Sequence, residues 1–140
     1  DVTEKTLKCL FDQLKLFNVY FEGTILKPSM VISGNKNTNR ADFKTVADMT
    51  INCLKKCCPE TLAGIAFLSG GQTNDEATTH LSIMNEENKG LPWRVTFSYA
   101  RAIQQSALNA WCCKDENLDQ AQGILAERAM LCSQASVGKL

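Results

Sequence analysis

The chain has 140 residues, with 15 Lys plus Arg against 15 Asp plus Glu and no formal net charge at pH 7. With no overall field, neither nucleic acid nor an anionic membrane surface is an expected partner, and an anionic substrate must be held by a local site. No apolar run approaches the roughly 20 residues needed to cross a bilayer, so no membrane partner is expected.

The sequence opens on Asp1 rather than Met and carries no signal-peptide pattern, which predicts a chain that begins within a longer protein. Its seven cysteines are an odd count, and Cys57-Cys58 and Cys112-Cys113 are sequence neighbours. Cys53 and Cys57 would share a helix face, but structural zinc needs further ligands at short spacing, and the single histidine, His80, has no partner motif. The expectation is reduced, mostly buried thiols in a cytoplasmic protein, with no metal and no other cofactor.

In chain order, Leu7, Leu10, Phe11, Leu14 and Phe17 recur at helical spacing and predict an amphipathic helix near residues 3–17. The run Val19 to Leu26, rich in β-branched and aromatic residues, reads as a strand closed by Lys27-Pro28. Ser33 to Asn39 is loop, and Asn39 is placed to cap a helix with Asp42 three residues on. Val46, Met49, Cys53, Leu54 and Cys57 form that helix's apolar face, and Pro59 stops it. Gly64 to Leu68 is a second strand, ended by Ser69-Gly70-Gly71. Thr73 and Glu76 form a capping box opening a helix whose face is Ala77, Leu81 and Met84. Trp93 to Phe97 is a third strand, followed by Ser98-Tyr99-Ala100-Arg101 and a helix through Trp111. A last helix carries Leu118, Ala121, Leu125, Ala129 and Cys132.

Strands alternating with helices imply βαβ units and a parallel sheet, hence the α/β class. Three strands are few for a parallel sheet covered on both faces, so a piece of something larger is expected.

Each strand ends in residues with chemical capacity. Alternation puts Gly23, Ile25 and Lys27 on one strand face; if Ile25 points into a core, so does Lys27. Burial would favour the neutral amine, the form that attacks a carbonyl. Position alone favours a lysine reaching from the sheet edge into water. Ser69-Gly70-Gly71, between a strand and a helix, offers backbone N–H groups to an anion, or serves only as a tight turn. Arg101, three residues past Ser98, can grip a phosphate with its guanidinium, or lie on the surface.

The segments Glu22-Gly23-Thr24-Ile25-Leu26-Lys27-Pro28, Phe67-Leu68-Ser69-Gly70-Gly71-Gln72 and Phe97-Ser98-Tyr99-Ala100-Arg101-Ala102 resemble consecutive motifs of class I, Schiff-base fructose-bisphosphate aldolases. The run Ser106-Ala107-Leu108-Asn109-Ala110-Trp111 with Glu116-Asn117 is similar too, and the resemblance covers essentially the whole chain. It implies residues 1–140 as the C-terminal part of one TIM (β/α)8 barrel, about its last three parallel strands with their helices and the C-terminal helices. It also implies Lys27 as the catalytic, imine-forming lysine, and a substrate-phosphate site of Ser69, Gly70, Gly71, Ser98, Ala100 and Arg101. The implied partner is a phosphorylated ketose, cleaved without a metal, and the implied assembly is a homo-oligomer, a tetramer in the family.

Departures from the family pattern are Ala100, where Gly is common, and Ser29, where Asn is common. The carboxylates and second lysine that handle protons in the family lie on earlier strands, and its C-terminal tail is expected to be missing or cut short after Leu140. Glu22 sits at the wrong end of its strand to replace them, and Asp75 and Glu76 read as first-turn helix residues. A second expectation therefore stands beside catalysis: a non-catalytic fragment or sugar-phosphate-binding remnant, with open sheet flanks that favour self-association.

Overall fold

The computed structural model describes residues 1–140. A parallel sheet contains β1 (Ile25–Leu26), β2 (Gly64–Phe67) and β3 (Val95–Phe97), in the order β1-β2-β3. The helices are α1 (Val2–Leu16), α2 (Phe43–Cys57), α3 (Asn74–Glu87), α4 (Arg101–Trp111) and α5 (Leu118–Ala135). Single 3-10 turns fall at Phe21–Gly23 and Asp115–Asn117. Adjacent parallel strands need a crossover, supplied here by α2 and then by α3.

The register pairs Ile25 with Gly64, Leu26 with Ile65, Ile65 with Val95, Ala66 with Thr96, and Phe67 with Phe97. Side chains alternate between sheet faces. Leu26, Ile65, Phe67, Val95 and Phe97 thus share one face, and Ile25, Gly64, Ala66 and Thr96 the other. Ile65, Phe67 and Val95 are buried with Leu81, Met84, Ile51 and Leu54 in a single core. The opposite face has no such layer: Ile25 is 66% exposed. The sheet is covered by helices on one side only, as a segment of barrel wall would be.

Local chemistry explains where the elements begin. Asp42, not Asn39, caps α2: the Thr45 N–H donates to Asp42 Oδ1 at 2.8 Å, while the Asn39 N–H is taken by Asn37 Oδ1. Thr73 and Glu76 form the expected capping box on α3, at 3.1 and 2.7 Å. The strand expected over Val19–Leu26 contracts to Ile25–Leu26. Asn18 leaves α1 at φ 53°, and the Tyr20 carbonyl accepts from both the Gly23 N–H and the Thr24 hydroxyl. Those local bonds occupy groups that a longer ladder would have needed.

Periodicity located the helices but overstated their buried faces. Met49 is 53% exposed, and Leu118, Leu125 and Ala129 are also exposed. Helix α5 instead buries Ala121, Arg128, Cys132 and Ala135, a stripe with a charged residue that apolar counting passes over. Three of the seven cysteines, Cys9, Cys112 and Cys113, are exposed, so the thiols are less uniformly buried than expected. No helix is long and apolar enough to cross a membrane.

Leu81 is fully buried and Met49 is not. Leu81→Ala is expected to cost about 2–5 kcal/mol, and Met49→Ala within about 0.5 kcal/mol, measured by urea unfolding of the two variants against the parent chain.

Candidate active site at the strand ends

Parallel strands end together, and the pairing runs on past the strands. The Leu68 N–H donates to the Pro28 carbonyl at 3.0 Å, and the Ser98 N–H to the Phe67 carbonyl at 2.8 Å. Lys27-Pro28, Leu68-Ser69 and Ser98 therefore lie in neighbouring rows at one edge of the sheet.

Alternation carries the open face of Ile25 on to Lys27, which is itself exposed. Burial of the amine, expected if Ile25 faced a core, is not supplied by these residues, because nothing covers that face.

Around Ser69 the chain is more constrained. Ser69 is buried. A Cβ built on Gly70 would sit 3.0 Å from Leu68 Cδ1 and 3.9 Å from Arg101 Nη2, so the fold brings the Arg101 guanidinium beside Gly70. Gly71 has φ +76°, and a Cβ there would lie 2.9 Å from Ile32 Cδ1. Glycine at 71 is thus required by backbone and space alike. The N–H groups of Gly70 and Gly71 donate to no backbone or side-chain acceptor.

The two helices that follow these loops differ at their starts. The first turn of α3 is already satisfied by its capping box. Helix α4 has no side-chain cap, since Ala100 carries no acceptor, and the Arg101 N–H is unused. The available anion donors are therefore the Gly70 and Gly71 amides, the start of α4 and the Arg101 guanidinium, rather than the start of α3. Ala100 has φ −104°, a conformation that alanine adopts without strain, and its side chain is exposed. The methyl in place of the family's glycine costs the backbone nothing.

Three further groups shape this edge without having been visible as site residues. Tyr99 is buried between exposed Ser98 and Ala100, and its hydroxyl donates to the Ala77 carbonyl at 2.9 Å, tying the loop to α3. Burial pushes the Tyr99 phenol well above its ordinary range, so it remains protonated. Arg40 donates to the Gly71 carbonyl and pairs with Glu76, both at 3.3 Å. It lines an open polar groove of about 440 Å3 with Gly71, Gln72, Thr73, Asn74 and Arg101. Gln72 Oε1 lies 2.7 Å from His80 Nδ1, and the buried His80 ring meets Phe43 edge-on. No periodic pattern distinguishes these residues; only the fold brings them to the loop.

Burial also sets the titrating groups. It raises the thiol of Cys58 to about 12 and that of Cys53 above its ordinary value. Burial lowers His80, opposed by Glu76 and assisted by Arg40. No three His, Cys, Asp or Glu side chains come together as a metal site.

Residues 1–140 match, end to end, the family model for class-I fructose-bisphosphate aldolase. This chain belongs to that family. A protein of Xanthomonas axonopodis pv. citri named "Probable fructose-bisphosphate aldolase class 1" is 48% identical over 141 residues, covering 99% of this chain and 42% of that protein. "Fructose-bisphosphate aldolase 3, chloroplastic" of Arabidopsis thaliana is 46% identical, covering 99% of this chain and 35% of that one. The fructose-bisphosphate aldolase of Plasmodium falciparum, solved in complex with TRAP and a small-molecule inhibitor, superposes with a TM-score of 0.93 at 41% identity. That match covers 99% of this chain and 40% of the solved one. The three strands and their helices are thus part of an aldolase (β/α)8 barrel, and the chain spans about two fifths of the length of the curated relatives it matches.

The lowered His80 pKa has a direct consequence for stability. Below about pH 6.5 the unfolded histidine takes up its proton before the folded one does. Stability present above that pH is therefore lost as pH falls towards the depressed folded value. Between pH 7 and pH 5 the chain is expected to lose more stability than His80→Asn, read from chemical unfolding at each pH.

Proposed function

We propose that this chain carries the imine-forming lysine and one phosphate cradle of a class I fructose-bisphosphate aldolase. The observation that supports it is the convergence at one sheet edge of Lys27, the unused Gly70 and Gly71 amides, and Arg101. In this reading residues 1–140 are the C-terminal part of a single barrel domain.

Lys27 Nζ attacks the ketone carbon of fructose 1,6-bisphosphate, and loss of water leaves a protonated imine. The phosphate nearest that ketone is held by the amides of Gly70 and Gly71, the Ser69 and Ser98 hydroxyls, the Ala100–Arg101 backbone and the Arg101 guanidinium. The iminium accepts the electron pair of the bond between the third and fourth carbons as the hydroxyl on the fourth carbon gives up its proton to a base outside this chain. That cleavage releases glyceraldehyde 3-phosphate and leaves an enamine. Protonation of the enamine and hydrolysis of the imine then free dihydroxyacetone phosphate and the lysine. No resident metal takes part. The proton-transfer groups are assigned to the rest of the barrel, since Glu76 is committed to the cap of α3 and Asp75 pairs with Arg128. The same reading places the protein in the cytoplasm as a homo-oligomer, a tetramer.

The exposure of Lys27 favours a second reading for the chain by itself, in which it binds a sugar phosphate without turnover. Borohydride reduction in the presence of dihydroxyacetone phosphate separates the two. The catalytic reading predicts a reduced adduct on the peptide carrying Lys27, suppressed by inorganic phosphate and absent from Lys27→Met. A folded chain that gives no adduct overturns imine chemistry by this chain alone.

A further inference from the structure

Arg128 stands on α5, outside every motif described above, yet its side chain is only 8% exposed. Arg128 Nη2 donates to the Asn74 carbonyl at 2.9 Å, and Nη1 to Asp75 Oδ1 at 3.2 Å. Arg128 Nε donates to the Ala102 carbonyl at 3.1 Å. Asn74 and Asp75 open α3, and Ala102 lies in the first turn of α4. One planar guanidinium therefore spans the starts of the two helices whose preceding loops are Ser69–Gly71 and Ser98–Ala100. A second link runs alongside it, from Asn74 Nδ2 to Ser106 Oγ at 2.8 Å.

This placement is electrostatically awkward. A cation at the N-terminal ends of helices opposes their dipoles. Burying it is costly unless it is compensated, and its one carboxylate partner, Asp75, is itself 91% exposed. Most of its hydrogen bonding goes to neutral carbonyls. Packing alone would be served as well by an apolar residue of similar volume. A bound anion at the loops preceding these two helices would offset the buried charge, and the rigid fork fixes the distance between its acceptors in a way a flexible ammonium cannot.

We infer that Arg128 is a positioning residue for the phosphate cradle. It sets the spacing of the first turns of α3 and α4, so that the Gly70 and Gly71 amides and the Arg101 guanidinium converge on one anion, while its buried charge adds to the potential there. The inference rests on the reading of those groups as a phosphate cradle.

The test is a titration of the folded chain with inorganic phosphate, followed through the amide resonances of Gly70 and Gly71. The parent chain, Arg101→Ala, Arg128→Lys and Arg128→Met are compared, with the unfolding midpoint of each measured alongside. Arg128→Met is expected to weaken phosphate about ten-fold in the folded fraction, as the cradle donors lose their fixed spacing and the nearby charge. Arg128→Lys, which keeps the charge and most of the volume, is expected to recover part of that loss. A role in folding alone would lower the midpoints and leave the affinity of the folded fraction unchanged, and that outcome overturns the inference. If Arg101→Ala weakens phosphate while both Arg128 variants bind like the parent chain, the inference fails and the cradle stands. If the parent chain does not bind phosphate, both fall together.

Discussion

Everything at the candidate site depends on β2 pairing in parallel with a neighbour on each side. Parallel pairing forces the chain to return by a crossover after each strand, which accounts for α2 and α3. It also makes the strands end at one edge, so that residues about forty and seventy positions apart in sequence, Lys27, Ser69 and Ser98, become neighbours. An antiparallel arrangement of the same strands would divide them between two edges. The same pairing fixes faces. Ile65 and Phe67 go to the helices, and Ile25, with Lys27 beyond it, goes to the face that no element of this chain covers.

Two helix starts lie beside this edge and are built for different work. Helix α3 satisfies its first turn with Thr73 and Glu76, which fixes the loop before it and leaves little for a ligand to bind. Helix α4 is preceded by Ala100, which cannot cap, and the Arg101 N–H remains available. Arg101 adds the charge, while Tyr99 and Arg128 hold the arrangement to α3 from behind. A cap improves stability at one terminus, and its absence leaves donors for an anion at the other.

Much of this was legible in the sequence, for identifiable reasons. The capping box on α3, the apolar stripe of Ala77, Leu81 and Met84, and the strand expected over Gly64–Leu68, which the fold forms as Gly64–Phe67, all follow from strong local signals. The strand expected over Val19–Leu26 contracts because β-propensity says nothing of Asn18 turning left-handed or of Thr24 bonding back to Tyr20. Met49 and Leu125 have the right spacing for a buried face, but spacing cannot say which neighbour will cover them. Arg128 was invisible for the complementary reason: an arginine within a helix reads as solvated until α3 and α4 close over it. The strand-end motifs revealed the groups that could meet a ligand, and the groups that hold those in place emerged only from the packing.

In the proposed reaction Lys27 and the cradle act on one molecule. A crystal structure of the chain after borohydride reduction with dihydroxyacetone phosphate tests it most directly. Electron density running from Lys27 Nζ through the reduced ketone carbon to a phosphate on the Gly70 and Gly71 amides and the Arg101 guanidinium is the expected result. A phosphate bound elsewhere, or an adduct whose phosphate points away from Gly70 into solvent, would contradict it.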